Sequence, residues 1–159
     1  MTLRPAGPAD DEAVLALNLA EEVSLAPMDR DRLAYVRSRA DRFDVIEVDG
    51  GPAGFVVTMA PGSDYDSPNY RWFGDRYGLD FYYLDRIALA PTVRRRGVAG
   101  LVYDEVEAVA ADRRRMALEV NLVPPNPASL AFHLRRGYAE VGRLGDEDHL
   151  VVLLTKELV

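Results

Sequence analysis

The residues best suited to chemistry lie in one stretch, Leu84-Asp85-Arg86-Ile87-Ala88-Leu89-Ala90-Pro91-Thr92-Val93-Arg94-Arg95-Arg96-Gly97-Val98-Ala99-Gly100. An apolar strand runs into a tight basic turn of small residues and then into the first turn of a helix. Free N–H groups at a helix start, with the positive end of the helix dipole, make an anion site. Gly97, Ala99 and Gly100 keep side chains away so that phosphate oxygens can reach the backbone, and Arg94, Arg95 and Arg96 add charge around it. The expected ligand is the pyrophosphate of a cofactor. A P-loop is excluded, because it needs Gly-Lys-Ser/Thr and the only lysine is Lys156. The dinucleotide fingerprint G-x-G-x-x-G is excluded by glycine spacing. What remains is R-x-x-G-x-A, at Arg94, Gly97 and Ala99; the plainer alternative is an arginine-rich turn capping an ordinary helix.

Composition narrows the class. The 159 residues fit one domain (1–159), with 48% hydrophobic and 28% charged residues. The absence of cysteine excludes a disulfide framework, thiolate metal sites and a cysteine nucleophile. His133 and His149 do not by themselves assemble a zinc site, so no metal is expected. A net charge of −7 argues against nucleic acid as the main partner. No apolar run approaches the ~20 residues of a membrane span and no signal-type segment opens the chain, so no membrane association and a cytoplasmic location are expected.

The elements that must hold this turn follow from periodicity. Leu3-Arg4-Pro5 reads as a short strand, and helices follow at about 11–22, capped by Asp10, and 29–39. Strands at 43–48 and 53–59 flank the hairpin signal Asp49-Gly50-Gly51-Pro52. Residues 61–78 are polar, aromatic and proline-interrupted, and read as a long connection. A strand spans 79–89. The helix at 98–113 buries Val98, Val102, Val106 and Val109 and turns Asp104, Glu105, Glu107 and Asp112 to water. A strand at 116–121 lies parallel to the one before it, since a helix crosses between them. Asn126 opens a last helix that ends at Gly137, and an antiparallel pair closes the chain. The order βααβββαβαββ is an α+β fold: a mixed, mostly antiparallel seven-stranded sheet with four helices.

That order resembles the GNAT superfamily of acetyl-CoA-dependent N-acetyltransferases, and four segments carry the resemblance. Leu3 to Asp10 is similar to the family's opening strand and helix cap. Ile87-Ala88-Leu89-Ala90-Pro91 sits where the family pairs backbone with pantetheine. Arg94 to Ala99 resembles its pyrophosphate loop, and Asn126 to Tyr138 its closing helix, N-x-x-A/S-x-x-x-Y-x-x-x-G-F. Two departures stand out: the longer approach to that helix, through Pro124 and Pro125, and His133 in place of the tyrosine.

The resemblance implies acetyl-CoA as co-substrate and no metal. Ile87, Ala88 and Leu89 would hold pantetheine, Arg94, Arg95, Arg96, Gly97, Val98, Ala99 and Gly100 the pyrophosphate, and Asn126, Ser129 and Phe132 would complete the cofactor site. His133 would protonate the departing thiolate. Asp85 and Glu119 are the candidate bases; for each, an ion pair with Arg86 or a polar core contact is the alternative. Lacking a cysteine, the chain is expected to react in a ternary complex. Glu22, Tyr70, Trp72 and Tyr83 are candidates for the acceptor site, where rings and carboxylates would suit an ammonium group. The same aromatics could instead pack the loop or a homodimer interface. The acceptor is expected to be a small primary amine. The alternatives are a protein N-terminus or lysine, and an acyl-CoA-binding regulatory domain without turnover.

Overall fold

The computed structural model describes residues 1–158. Its seven strands are β1 (Thr2–Pro5), β2 (Arg42–Val48), β3 (Gly51–Met59), β4 (Tyr82–Leu89), β5 (Arg115–Val123), β6 (Ala139–Gly145) and β7 (Leu150–Glu157). They form one sheet in the order β1-β2-β3-β4-β5-β7-β6, antiparallel everywhere except between β4 and β5. The helices are α1 (Asp11–Ala20), α2 (Arg30–Arg39), α3 (Pro68–Tyr77), α4 (Val98–Ala110) and α5 (Pro127–Arg135). The α+β architecture expected from the sequence is the one found, with a fifth helix. The segment read as a long connection contains α3, capped by Ser67, whose hydroxyl accepts from the Tyr70 N–H, with Pro68 in the first turn.

Each face of the sheet carries its own apolar layer. Val14, Leu33, Val36, Tyr70 and Phe73 bring α1, α2 and α3 onto one face. Val98, Val102, Tyr103, Val106 and Leu130 bring α4 and α5 onto the other. Two surface assignments change. Val109 is 41% exposed, and Tyr103 and Ala110 are buried on α4 instead. Glu107 is drawn inward, because its carboxylate accepts from Arg136, Tyr138 and Lys156. Asp10, expected as a capping side chain, spends its carboxylate on Arg4 and on the Gly7 N–H, which hold its pKa down at about 2.

Two irregularities prepare the centre of the sheet. The register of β3 against β4 passes from Val57↔Arg86 to Thr58↔Leu84, so Asp85 is the extra residue of a bulge. A bulge re-aims side chains, and here it lets Asp85 and Arg86 share a face. The parallel pairing of β4 with β5 consists of Tyr82↔Met116 and Tyr83↔Ala117 alone. Beyond those pairs the two strands diverge.

Candidate active site

The divergence opens a cleft of 630 Å³ that passes through the sheet. Leu84, Leu118 and Val120 line it beside the α4 and α5 layer, together with Tyr103, Ser129 and His133. Asp85, Arg86, Glu119 and Asn121 line it on the α1 and α2 side, together with the loop from Glu21 to Pro27. Strand alternation explains this division, since successive side chains point to opposite faces. A second cavity of 350 Å³ opens on the α1 and α2 side and also reaches Asp85, Arg86 and Glu119.

Along the open edge of β4 the backbone is available for binding. The Ala90 N–H donates to Ala53 of β3. Strand period two therefore sends the Ala88 N–H the same way, and those of Ile87 and Leu89 toward the gap. Of the three residues expected at pantetheine, Ile87 and Leu89 keep their amides off β3, while Ala88 spends its own on β3 and is not available there.

The next turn carries the basic loop into α4. Gly97 caps α4 at φ +75°, a left-handed conformation that favours glycine, and it has no side chain to satisfy the first helical N–H groups. Arg95 shares that conformation at φ +62° and pairs with no acid among the described residues. Arg94 and Arg96 are engaged elsewhere: Arg94 pairs with Glu21 and donates to the Leu89 carbonyl, and Arg96 pairs with Asp49. Val98 is buried in the core, so its backbone alone faces a ligand.

On the α4 and α5 side, His133 is buried among the ring edges of Tyr103, Phe132 and Tyr138. Its Nδ1 lies 2.7 Å from the Ser129 carbonyl oxygen, which can only accept, so Nδ1 carries the ring hydrogen. Nε2 is then the acceptor for the Tyr103 hydroxyl at 2.6 Å. Burial lowers the His133 pKa and favours this neutral state, and burial raises that of Tyr103. Sequence reasoning missed Tyr103, which sits beside Val102 of the apolar stripe and looks like core. Phe132 packs on Tyr103. Asn126 caps α5 and donates to Ser24 Oγ.

Glu119 stands on the opposite side of the gap. Burial pushes its pKa up to about 7, although part of the side chain opens on the cleft and the Tyr83 hydroxyl donates to the carboxylate at 2.7 Å. Tyr83 is therefore buried behind Glu119, outside the residues that line the cleft. Asp85 has a different occupation: one oxygen accepts from Tyr65 at 2.7 Å and the other from Arg86 Nε at 2.8 Å.

The acceptor residues expected from the aromatic segment are only partly brought together. Glu22 lines the cleft. Tyr70 is buried, packs on Tyr65, Phe81 and Tyr83, and donates to the Ala60 carbonyl. Trp72 covers Gly142 of β6, where a Cβ would lie 2.6 Å from its ring. Helix formation turned both rings inward, so neither lines a cavity here. No group of three or more histidine, aspartate or glutamate side chains is gathered for a metal among the described residues. No helix among them is long and apolar enough to cross a membrane.

The geometry to set beside known proteins is a sheet split at one parallel pair with a basic turn at its end. The profile of the acetyltransferase (GNAT) family matches residues 12–138. The chain belongs to that family. A mycothiol acetyltransferase of Tsukamurella paurometabola is 30% identical over 149 residues, covering 85% of this chain. The chain spans about half the length of that relative, 47%. Among solved structures, the smu.2055 protein of Streptococcus mutans superposes with a TM-score of 0.77 at 17% identity over all of both chains. A ribosomal-protein-alanine N-acetyltransferase of Brucella melitensis gives 0.71 at 22% identity over 99% of this chain and 100% of its own. Both likenesses are of fold.

Proposed function

We propose that this chain transfers an acetyl group from acetyl-CoA to a primary amine of a small molecule by direct attack in a ternary complex, with Glu119 as the general base. The observation that carries the reading is the Glu119 carboxyl on the wall of a cleft that runs through the sheet, where burial pushes its pKa up to about 7. A base whose pKa lies near the working pH accepts a proton most effectively. The amine enters on the α1 and α2 side and attacks the thioester carbonyl, whose oxygen is polarised by the free amides of Ile87 and Leu89. Glu119 takes the nitrogen's proton and returns it to solvent. The sulfur leaves on the α4 and α5 side, where the Tyr103 hydroxyl turns its hydrogen from His133 Nε2 to the developing thiolate. His133 thus holds the donor in place. Asp85, committed to Tyr65 and Arg86, serves as a positioning residue. The pyrophosphate rests on the amides from Gly97 to Gly100, with Arg95 beside it.

Thiol release from acetyl-CoA across an amine panel tests the reading. kcat/KM for the wild type should rise with pH through about 7 as Glu119 ionises. Glu119→Gln should lose that limb and about 10²-fold or more in rate. A limb retained in the variant would assign the base elsewhere. Binding of acetyl-CoA with no thiol release from any amine would favour a regulatory domain without turnover. A protein acceptor is the second reading, supported by the extra cavity beside the cleft and by the ribosomal-protein acetyltransferase with the same fold. Peptides acetylated in preference to small amines would select it.

A further inference from the structure

Two of the three arginines at the basic turn are held by the protein's own acids. Arg96 pairs with Asp49, at the exposed tip of the β2–β3 hairpin. The Arg94 pair is different, because its partner Glu21 ends α1 and lines the cleft. Glu21 is also better sheltered, its side chain 25% exposed against 78% for Asp49, so solvent screens its pair less. Both partners are fixed by their surroundings. The Glu21 carbonyl accepts from the Ser24 and Leu25 N–H groups, and the Glu21 N–H donates to the Asn18 carbonyl. The loop beyond it is pinned where Ser24 accepts from Asn121 and Asn126, and where Ala26 accepts from Asn18 and Arg86. On the other side, Arg94 Nε donates to the Leu89 carbonyl at the end of β4, 3.3 Å away. The fold thus sets a carboxylate on the first arginine of R-x-x-G-x-A, the residue expected to meet phosphate.

We propose that Glu21 competes with the cofactor's phosphates for Arg94, so that the ion pair restrains acyl-CoA binding and opens when the cofactor arrives. This rests on the acyl-CoA reading of the turn. An anion entering the turn finds no side-chain cap on the N–H groups that start α4, but finds Arg94 already neutralised. A carboxylate and a phosphate on one guanidinium repel each other, and the phosphate has the helix N-terminus to hold it as well. Glu21, on the cleft wall, passes to solvent instead. Because its backbone is fixed, the exchange moves only side chains. Arg94 goes from carboxylate to phosphate, and a negative charge is released at the cleft. Binding of the cofactor thereby alters the charge met by whatever enters the cleft next.

A double-mutant cycle on acetyl-CoA affinity, read by calorimetry, decides the matter. Glu21→Gln should tighten acetyl-CoA about two- to fivefold, the range for an ion pair open to solvent. In the Arg94→Gln background the same change should shift affinity by less than about 1.5-fold, because the cycle isolates what Glu21 does through Arg94. Equal tightening in both backgrounds would reduce Glu21 to a negative charge near an anion and overturn the competition. Unchanged affinity in Glu21→Gln would overturn it too. Dephospho-CoA, which lacks the phosphate on the ribose, separates the two phosphate sources. Tightening by Glu21→Gln that persists with it assigns Arg94 to the pyrophosphate, and tightening that vanishes assigns Arg94 to the ribose phosphate. A readout without substitution is the side-chain carboxyl carbon resonance of Glu21 in the wild type, which should move on saturation with acetyl-CoA. A resonance that stays in place would overturn the exchange even if a variant does not fold. Acetyl-CoA failing to bind the wild type would sink the acyl-CoA reading and the competition together, whereas binding that ignores Glu21 sinks the competition alone.

Discussion

A single ring, His133, shows how far a residue's role depends on what its neighbours do with its hydrogens. The sequence places a titratable nitrogen where the family has a phenol, and the structure puts a phenol beside it. Because Ser129 takes the Nδ1 hydrogen, the hydrogen shared by the two rings comes from Tyr103, and under the proposed function Tyr103 is the donor to the sulfur. Tyr103→Phe and His133→Ala should each lower kcat by about 10- to 100-fold, the low end for acid catalysis with a fairly acidic leaving group, and leave acetyl-CoA affinity nearly unchanged. Stopped-flow thiol release checks both. A full rate in Tyr103→Phe with a loss in His133→Ala would return the role to the imidazole. The turn at Gly97 has its own test. A Cβ there meets nothing within 4 Å, so Gly97→Ala pays only for its left-handed backbone, while Gly97→Glu adds a carboxylate where phosphate rests. Calorimetry should show Gly97→Glu binding acetyl-CoA at least tenfold more weakly than Gly97→Ala, about 1.4 kcal/mol. Equal affinities would place the pyrophosphate elsewhere. Gly97, His133 and Glu119 are candidates that the sequence marks by backbone freedom, motif position and strand alternation, and the structure gathers the last two around one cleft. Arg86 was legible only as a partner for Asp85, because its contacts with Asn18 and Ala26 come from residues distant in sequence.

At the scale of elements, α3 is the instructive case. Its sequence, Pro68-Asn69-Tyr70-Arg71-Trp72-Phe73-Gly74, is poor in strong helix formers, so propensity hides it. The signals that reveal it are the Ser67 cap and Pro68 at the start, which a reading weighted toward composition passes over. Tertiary packing completes the helix by giving Tyr70 and Phe73 an aromatic layer against Phe81 and Tyr83. The correct order of the strands, by contrast, follows from apolar runs and from the helix crossing between β4 and β5. Trp72→Ala should therefore act on stability, lowering it by about 2 kcal/mol or more as the cover over Gly142 is lost. The KM for the amine should stay within about twofold, since the lost packing lies away from uniform substrate binding. Denaturant unfolding and steady-state kinetics on one preparation separate the two. A raised KM with unchanged stability would bring the indole back into the acceptor site.

For the whole molecule, the decisive property is that the two faces of the sheet meet at one cleft and are tied together across it. Ser24, in the loop over the acceptor side, accepts from Asn121 through its carbonyl and from Asn126 through its hydroxyl. Asn126 begins α5, so the loop after α1 and the start of α5 share an anchor. Of the three arginines at the turn, Arg95 alone is unpaired among the described residues, so under the proposed function it is the charge that would draw the phosphate-bearing substrate there.

The short parallel seam between β4 and β5 has a consequence for amide hydrogen exchange. Central strands are ordinarily the slowest part of a sheet to exchange. Here Ala88 donates to β3 and should exchange slowly under all conditions, while Ile87 and Leu89, one residue to either side, should exchange at rates closer to those of a loop. Acetyl-CoA should slow those two amides and leave Ala88 unaltered, which a time course of deuterium uptake followed by NMR would resolve. Uniform protection along β4 without ligand would show that the seam is closed in solution. Alternating protection would make one strand, residue by residue, a gauge of how much of the protein holds its acyl donor.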